Sequence, residues 1–367
     1  MEDGADPIEA AEVLIASGRA DQAAQDLKAR LAAGRGGLLA RLTLIKALLA
    51  SGARQDALAQ AREAVSLNPD IAVAILALGE ALLAVEALPT AIAELQRALR
   101  LDPGLERARL LIAQAWLSAG EADKALENLN AMDDPPAAMI AAAQAIKSAP
   151  RSDPGYVRHL FDQFSADYDS RMIGQLSYAA PQILLDLAGM VMPGRLGASA
   201  RAGATNKKGI SVLDLGCGTG LAGAVFKPLA ARLDGIDLSP AMIEKARARQ
   251  IYDSLTVTDL ESALGTPGPQ YDLILAADTL VYLGDLKPVF DAAPARLAAD
   301  GYFLFTVEKA EGEGFELGPK RRWRHSEAYL RRLAESSGLA VAGLVAAAPR
   351  SEANQLVDGF AVALARP

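Results

Sequence analysis

A short apolar stretch that runs into closely spaced glycines constrains this chain more than any other feature. Residues 210–220 read ISVLDLGCGTG. The apolar residues of 210–215 predict a central strand that is buried on both faces of a parallel sheet. Gly216, Gly218 and Gly220 then predict a tight turn at which backbone N–H groups approach a ligand closely. We therefore expect a nucleoside-containing cofactor at this loop.

Acidic residues around the loop favour a cofactor that has no phosphate at this end. The glycine spacing is G-x-G-x-G rather than the dinucleotide pattern G-x-G-x-x-G, and Asp214 lies two residues before the first glycine. A carboxylate there would repel a phosphate but suits an ammonium group, such as that of the methionine moiety of S-adenosylmethionine. Asp237 ends a second predicted strand, where it can bind ribose hydroxyls. Asp259 ends a third predicted strand and can receive the adenine amino group.

The order of these segments resembles a known enzyme family. The segments are LDLGCGTG at 213–220, GIDLSPAMIEKA at 235–246, TDL at 258–260, YDLILAADTL at 271–280 and GYFLFTVE at 301–308. With them, residues 156–367 resemble the class I S-adenosylmethionine-dependent methyltransferases. The resemblance implies a Rossmann-like, doubly wound and mostly parallel seven-stranded sheet. It implies S-adenosyl-L-methionine as cofactor and S-adenosyl-L-homocysteine as product.

The resemblance also implies further contacts with the cofactor. The residues that it adds to the glycines and acidic residues above are Cys217, Leu238, Met242, Leu260, Ala276 and Tyr168. Tyr168 belongs to the segment 161–169, FDQFSADYD, which resembles an aromatic-rich entry helix that closes over the cofactor. The alternative is that its aromatic residues are ordinary core residues at helical spacing.

The N-terminal region has a repeat of its own, with a period of 34 residues. Gly18, Gly52, Glu86 and Gly120 lie on one 34-residue grid, and a second grid contains only alanines. The alanines of this second grid are Ala23, Ala57, Ala91 and Ala125. This is the tetratricopeptide period, in which pairs of helices bury their apolar faces by stacking on neighbouring pairs. We predict about four repeats in an all-α solenoid, and the whole chain resembles bacterial methyltransferases fused to such repeats.

Length and charge give the domain organisation and narrow the partners. We expect a repeat domain at 1–149, a linker at 150–155 and a methyltransferase domain at 156–367 with a mobile loop at 193–209. A net charge of −8 without a large basic patch argues against nucleic acid. Charges interrupt the apolar stretches, and no leader peptide is evident, so we expect a cytoplasmic protein without a membrane span. A single cysteine excludes an internal disulfide and a cysteine-built zinc site, and we predict no metal.

The residues that act on the methyl acceptor are expected after the fourth and fifth strands. The candidates for catalysis are Asp278, Tyr282 and His325, of which the histidine would act as a base for a hydroxyl acceptor. The alternatives are a cofactor contact for Asp278, a cavity wall for Tyr282 and a packing role for His325. Arg322 and Arg324, with Tyr282, are predicted to bind the acceptor, because arginine recognises carboxylates and phosphates. The alternative for these arginines is a solvated loop.

The leading interpretation is a methyltransferase that acts on an oxygen or nitrogen of a small, anionic metabolite. Methylation of a base or a glutamine amide is disfavoured, because ADTL stands at 277–280 in place of an Asn/Asp-Pro-Pro-aromatic motif. One alternative is a protein methyltransferase that recruits its substrate through the repeats. Another is a non-catalytic scaffold that senses the cofactor. The acidic repeat region is expected to bind a protein partner or a second copy of the chain.

Overall fold

A computed structural model describes residues 6–165, 167–174, 176–196, 209–318, 321–352 and 355–367. The chain divides into two units, Met1–Lys147 and Ser148–Pro367. Most of the loop predicted to be mobile at 193–209 lies outside the described residues, although Pro193–Leu196 form a short helix. Within the described residues, no helix is long and apolar enough to cross a bilayer.

The described part of the first unit is built from helices. They are α1 (Pro7–Ala16), α2 (Ala20–Ala32), α3 (Leu38–Ala50), α4 (Arg54–Leu67), α5 (Ala72–Ala84), α6 (Leu88–Leu101), α7 (Glu106–Ser118), α8 (Ala122–Asn130) and α9 (Ala137–Ser148). From α1 to α8, each helix contacts the next one along the chain, and α1, α3, α5 and α7 also contact one another in sequence. These helices therefore form a stack of helix pairs.

The sequence period explains how these pairs pack. The alanines of the second grid, Ala23, Ala57, Ala91 and Ala125, are all fully buried. Their small side chains allow neighbouring helices to approach closely. In two pairs the second helix ends next to a proline, since α4 stops before Asn68-Pro69 and α6 stops before Asp102-Pro103.

The second unit contains a mostly parallel sheet. The strands of this unit are β1 (Ile210–Leu215), β2 (Ala230–Asp237), β3 (Ser254–Val257), β4 (Tyr271–Ala276), β5 (Leu297–Lys309), β6 (Phe315–Leu317), β7 (Trp323–His325), β8 (Ala340–Ala347), β9 (Ser351–Glu352), β10 (Gln355–Leu356) and β11 (Gly359–Ala365), of which β9 and β10 form a separate two-stranded sheet. The main path has the order β3-β2-β1-β4-β5-β11-β8, in which β11 is antiparallel to both neighbours. The prediction of seven strands matches this path, but β7 also pairs with β5 and carries β6, which extends the sheet.

Helices surround this sheet, and some of them pack on it through two separate apolar cores. The helices of this unit are α10 (Pro154–Phe164), α11 (Tyr168–Gly174), α12 (Ala180–Val191), α13 (Pro193–Leu196), α14 (Leu221–Phe226), α15 (Pro240–Ala248), α16 (Leu260–Gly265), α17 (Lys287–Arg296) and α18 (Glu327–Ser336). Val212 joins a core with α12 and α14, whereas its neighbour Leu213 joins a core with α17 and α18. Since adjacent residues of a strand point to opposite faces, both faces of β1 are buried. Polar groups are thereby concentrated at the strand ends.

Candidate functional site

The glycine loop lies at the carboxyl end of β1 and is shaped by two glycines. Gly216 has a φ of 67°, and a Cβ there would lie 2.3 Å from the side chain of Thr279. Gly218 has a φ of 54°, and a Cβ there would meet no atom within 4 Å. The first glycine is needed for packing, whereas the second borders open space where a ligand can approach the backbone.

The acidic residue at the end of β2 holds this loop in place. The carboxylate of Asp237 accepts one hydrogen bond from the N–H of Gly218 at 2.9 Å and another from the N–H of Ser239 at 2.8 Å. Burial raises the pKa of Asp237, while these two N–H donors oppose the shift. Asp259 follows β3 and caps α16 by accepting a hydrogen bond from the N–H of Ser262 at 2.9 Å. Both carboxylates border one cavity.

This cavity has a volume of about 80 Å³ and lies beside the ends of β1, β2, β3 and β4. Seven of the residues predicted to bind the cofactor line it, namely Tyr168, Gly216, Gly218, Asp237, Leu238, Asp259 and Leu260. The other predicted cofactor residues are not among its lining residues; they are Asp214, Cys217, Gly220, Met242 and Ala276. Cys217 is a buried free cysteine, and burial raises its pKa. Arg151 also lines the cavity, and its charge is paired with Glu261 at 2.6 Å.

Asp214 lies behind the glycine loop with one oxygen satisfied and the other not. Its Oδ2 accepts a hydrogen bond from the hydroxyl of Tyr252 at 2.7 Å, whereas its Oδ1 is buried without a partner. Burial raises the pKa of Asp214 to about 6. An unpartnered buried carboxylate oxygen suits a cationic donor, and the open backbone at Gly218 suits a nucleoside. The residues present therefore fit S-adenosylmethionine, which bears an ammonium group and no phosphate.

A polar cluster lies beyond β4 and borders the cavity. Asp278 and Tyr282, which the sequence analysis proposed to act on the acceptor, are among the lining residues. Arg322 donates a hydrogen bond to the Tyr282 hydroxyl. Burial raises the pKa of Tyr282, although the Arg322 charge opposes this. The ring of Phe161 lies 5.4 Å from that of Tyr282 and 6.0 Å from that of Tyr168, so α10 and α11 supply an aromatic wall.

His325 does not reach this cavity, and its position argues against the predicted role as a base. The ring is fully buried on β7, with Nε2 3.0 Å from the carbonyl oxygen of Gly284. That contact requires the proton on Nε2 and leaves Nδ1 buried without a partner. Burial lowers the pKa of His325 to about 4. The ring stacks on Tyr329, which is the packing role that the sequence left open.

Arg322 and Arg324 are paired with carboxylates and do not line the first cavity. Arg322 forms an ion pair with Glu352, and Nε of Arg324 lies 3.5 Å from Oε2 of Glu308. These four side chains border a second cavity of about 340 Å³. Their charges are therefore largely compensated, which weakens the prediction that the arginines bind an anionic acceptor.

One functional candidate has no motif in the sequence. The side chain of Arg350 is fully buried and pairs with Asp278, Glu308 and Glu352. Glu308 could have been recognised in the sequence, because this charged residue follows the apolar run FLFTV. Arg350 could not, since it follows an alanine-rich strand and comes close to Asp278 only in the folded protein.

Comparisons with known proteins agree with the position of the cavity. Residues 213–303 match the family described as "Methyltransferase domain". Human methyltransferase-like protein 27 is 31% identical over 124 residues, which are 33% of this chain and 46% of that protein. Trans-aconitate 2-methyltransferase of Klebsiella pneumoniae is 38% identical over 93 residues, 24% of this chain and 36% of that protein. The chain thus spans less than half the length of these relatives.

Solved structures of methyltransferases are similar to part of the chain. Magnesium protoporphyrin IX methyltransferase from Synechocystis, with bound S-adenosylmethionine, is 17% identical with a TM-score of 0.44, and the match covers 59% of this chain and 98% of that one. The Burkholderia thailandensis 1,6-didemethyltoxoflavin-N1-methyltransferase is 18% identical with a TM-score of 0.44, and the match covers 60% and 92%.

Proposed function

We propose that the protein is an S-adenosylmethionine-dependent methyltransferase that methylates an oxygen or nitrogen of a small molecule. One observation carries this proposal: residues from the ends of β1, β2, β3 and β4 line the same cavity. In open α/β sheets, ligands bind in the crevice at the carboxyl ends of the strands. The match of residues 213–303 to a methyltransferase domain supports the same assignment. The proposal keeps the cytoplasmic location expected from the sequence.

The lining residues divide the cavity into a nucleoside end and a methyl end. Asp237 would hold the ribose hydroxyls, and Asp259 the adenine amino group. Asp214 would receive the ammonium group. When bound, S-adenosylmethionine would supply an electrophilic methyl group, carried on a cationic sulfur, to the acceptor oxygen or nitrogen. Phe161 and Tyr168 would exclude water from this end.

The structure gives no support to the anionic part of the sequence interpretation. Arg322 and Arg324, which would recognise an anion, are already paired with Glu352 and Glu308. An anionic acceptor would have to break these pairs. The acceptor in this proposal is therefore a small molecule with a hydroxyl or amine, bound near Asp278 and Tyr282.

Calorimetry with S-adenosylhomocysteine tests the cofactor assignment. We expect binding by the wild type, and Asp237→Asn should weaken it by about 10- to 100-fold, because a charged acceptor of two backbone N–H bonds is lost. Asp186→Asn is the matched control, since Asp186 is exposed on α12, and it should bind like the wild type. No heat of binding at millimolar ligand would refute the proposal. Screening metabolite mixtures with labelled S-adenosylmethionine would then identify the acceptor.

The stacked helix pairs of the first unit support a second candidate, a protein methyltransferase that recruits its substrate through tetratricopeptide repeats. The 34-residue grid and the contacts among α1, α3, α5 and α7 favour such repeats. A chain reduced to residues 148–367 should keep activity on a small molecule but lose activity on a recruited protein. Light scattering on the full chain would detect the alternative use of the repeats, dimerisation.

A further inference from the structure

Asp278 adopts an unusual backbone conformation that two contacts hold in place. Its φ is 58°, in the left-handed region that residues other than glycine rarely occupy. Its N–H donates a hydrogen bond to Oγ1 of the buried Thr306 at 2.8 Å, and its Oδ1 accepts one from Arg350. Such a conformation is strained and persists where the surroundings fix it. The contacts thus determine where this carboxylate lies at the cavity wall.

Arg350 connects Asp278 to two other elements. Its guanidinium binds Asp278 after β4, Glu308 on β5 and Glu352 on β9. Only 1% of Arg350 is exposed, and it is not among the residues that line the cavity. A planar guanidinium with five donors can bridge three carboxylates, which a single ammonium cannot do with the same geometry. Arg350 is therefore placed to orient Asp278 without touching a ligand itself.

The charges around Asp278 are balanced. The cluster contains three carboxylates and three guanidiniums, those of Asp278, Glu308, Glu352, Arg322, Arg324 and Arg350. An anion that entered the cavity at Asp278 would meet a carboxylate whose cations, within the described cluster, are already shared with Glu308 and Glu352, in a buried setting where unpaired charge is costly. A hydroxyl or an amine would instead donate a hydrogen bond to that carboxylate.

We propose that the methyl acceptor presents a neutral or cationic O–H or N–H donor to Asp278, and that Arg350 is the positioning residue that holds this carboxylate for it. This inference rests on the proposed methyltransferase function. Asp278 takes the donor hydrogen bond, and Arg350 and Thr306 fix its direction from behind. Aromatic rings of Phe161, Tyr168 and Tyr282 lie at the same end of the cavity, so small aromatic compounds are suitable probes.

The experiment measures which charge the acceptor end prefers. The full-length protein, saturated with S-adenosylhomocysteine, is titrated at pH 7 with benzylamine, benzyl alcohol and benzoate, which share a ring but differ in charge. We expect the amine and the alcohol to bind at least about tenfold more tightly than benzoate. Asp278→Asn should reduce this difference to about threefold or less. A preference for benzoate, equal affinities, or no binding of any probe would overturn the inference.

Variants behind Asp278 test the positioning role. Arg350→Lys keeps the charge but cannot bridge the three carboxylates with the same geometry, so the ratio of benzylamine to benzoate affinity should fall towards the Asp278→Asn value. Arg296→Lys is the matched control, because Arg296 is a buried arginine that binds backbone carbonyls of Ala263, Thr266 and Pro269, and it should keep the wild-type ratio. An unchanged ratio in Arg350→Lys would show that Arg350 is only structural.

The hydrogen bond from the Asp278 N–H to Thr306 provides a second test if Arg350→Lys does not fold. Thr306→Val removes the acceptor of the Asp278 N–H with little change of shape, and it should also lower the ratio. A wild-type ratio in Thr306→Val would contradict the positioning argument. Calorimetry with S-adenosylhomocysteine alone distinguishes failure of the proposed function from failure of the present inference. If S-adenosylhomocysteine does not bind at all, the proposed function fails; if it binds and the probes show no preference, only the present inference fails.

Discussion

The two units differ in where they keep their polar side chains. Among the described residues of the first unit, only the side chain of Thr43 is both polar and buried, and its hydroxyl is bonded to the carbonyl oxygen of Leu39. In the second unit, the buried polar residues are Asp214, Thr219, Asp234, Asp237, Ser239, Arg296, Thr306, Glu308, His325, Ser326 and Arg350. The ion pair Lys28–Asp56 of the helices is solvated, since about half of each side chain is exposed.

This contrast separates a unit built for stacking from a unit built around a site. Helix pairs whose buried side chains are almost all apolar have little desolvation cost, and their stability follows from packing. Buried charges reduce the stability of the sheet unit unless every one of them is paired. The buried charges are concentrated at the strand ends, beside the cavity proposed to bind the cofactor, where they lower the stability of the unit. Changes to charge should therefore matter in the sheet unit, and changes to shape in the helical unit.

The largest expected effect is the loss of the buried guanidinium. Arg350→Met leaves Asp278, Glu308 and Glu352 without their shared cation, so we expect the sheet unit to lose about 3–5 kcal/mol of unfolding free energy. Lys28→Met removes an exposed ion pair of the helical unit and should cost less than about 0.5 kcal/mol.

The two tryptophans allow each unit to be followed separately. Trp116 lies in α7 and Trp323 in β7, so Trp323→Phe leaves a reporter in the helices and Trp116→Phe leaves one in the sheet. Urea unfolding followed by fluorescence in these backgrounds gives the free energies. A loss of less than about 1 kcal/mol for Arg350→Met would contradict the contrast between the units.

The next effect in size is a gain of stability from removing a charge. Asp214 has a pKa of about 6 in the folded protein against an ordinary 3.8, so its ionisation costs stability at neutral pH. Asp214→Asn should raise the unfolding free energy of the sheet unit by up to about 3 kcal/mol at pH 7.5. The same substitution places an amide where the ammonium group would bind, and we expect S-adenosylhomocysteine to bind about tenfold more weakly.

The pH dependence gives this prediction its control. A raised acid pKa means that the folded protein holds the proton more tightly, so the contribution of Asp214 to stability falls as pH rises from about 4 to about 6 and then stays constant. The advantage of Asp214→Asn should therefore be small at pH 4 and complete above pH 6. An advantage that does not change across this range would show that charge is not its cause.

The sequence predicts those features of each unit that depend on local signals, and it does not predict those that depend on long-range contacts. The 34-residue grid predicts the buried alanines, since each helix pair repeats the same local packing. The glycine loop and the acidic strand ends are likewise local motifs, and Gly216, Gly218, Asp237 and Asp259 line the cavity.

Other predictions depended on tertiary contacts that the sequence does not contain. The sequence does not show that the register of β7 turns His325 towards Gly284, or that Glu352 and Glu308 neutralise Arg322 and Arg324. Pairing of Arg350 with Asp278 joins positions 72 residues apart. Side chains whose roles depend on such partners can be recognised as charged but cannot be assigned from the sequence.

Shape should dominate in the helical unit, and Gly79 tests this. Alanine in place of an exposed helical glycine usually stabilises a helix by about 0.5–1 kcal/mol. A Cβ on Gly79 of α5, however, would lie 2.5 Å from the side chain of Leu95 on α6, which is fully buried. Gly79→Ala should therefore destabilise the helices by about 1–2 kcal/mol. Gly189→Ala on α12 is the control, since a Cβ there meets nothing within 4 Å, and it should stabilise the sheet unit.

The smallest expected effect concerns the one member of the glycine grid that is not glycine. Gly18, Gly52 and Gly120 have φ values of 76°, 79° and 64°, and Glu86 has a similar φ of 61°. The fold therefore imposes a left-handed residue after the first helix of each pair, at a cost that glycine avoids. Glu86→Gly should stabilise the helical unit by about 0.5–1 kcal/mol. This gain is smaller than the strain that is relieved, because glycine also increases the conformational freedom of the unfolded chain. Gly52→Ala should destabilise it by about 1 kcal/mol, with Trp116 fluorescence as the readout. If Glu86→Gly is neutral while Gly52→Ala is destabilising, contacts of the Glu86 side chain offset the strain. The grid would then predict the backbone conformation at these positions but not their contribution to the unfolding free energy.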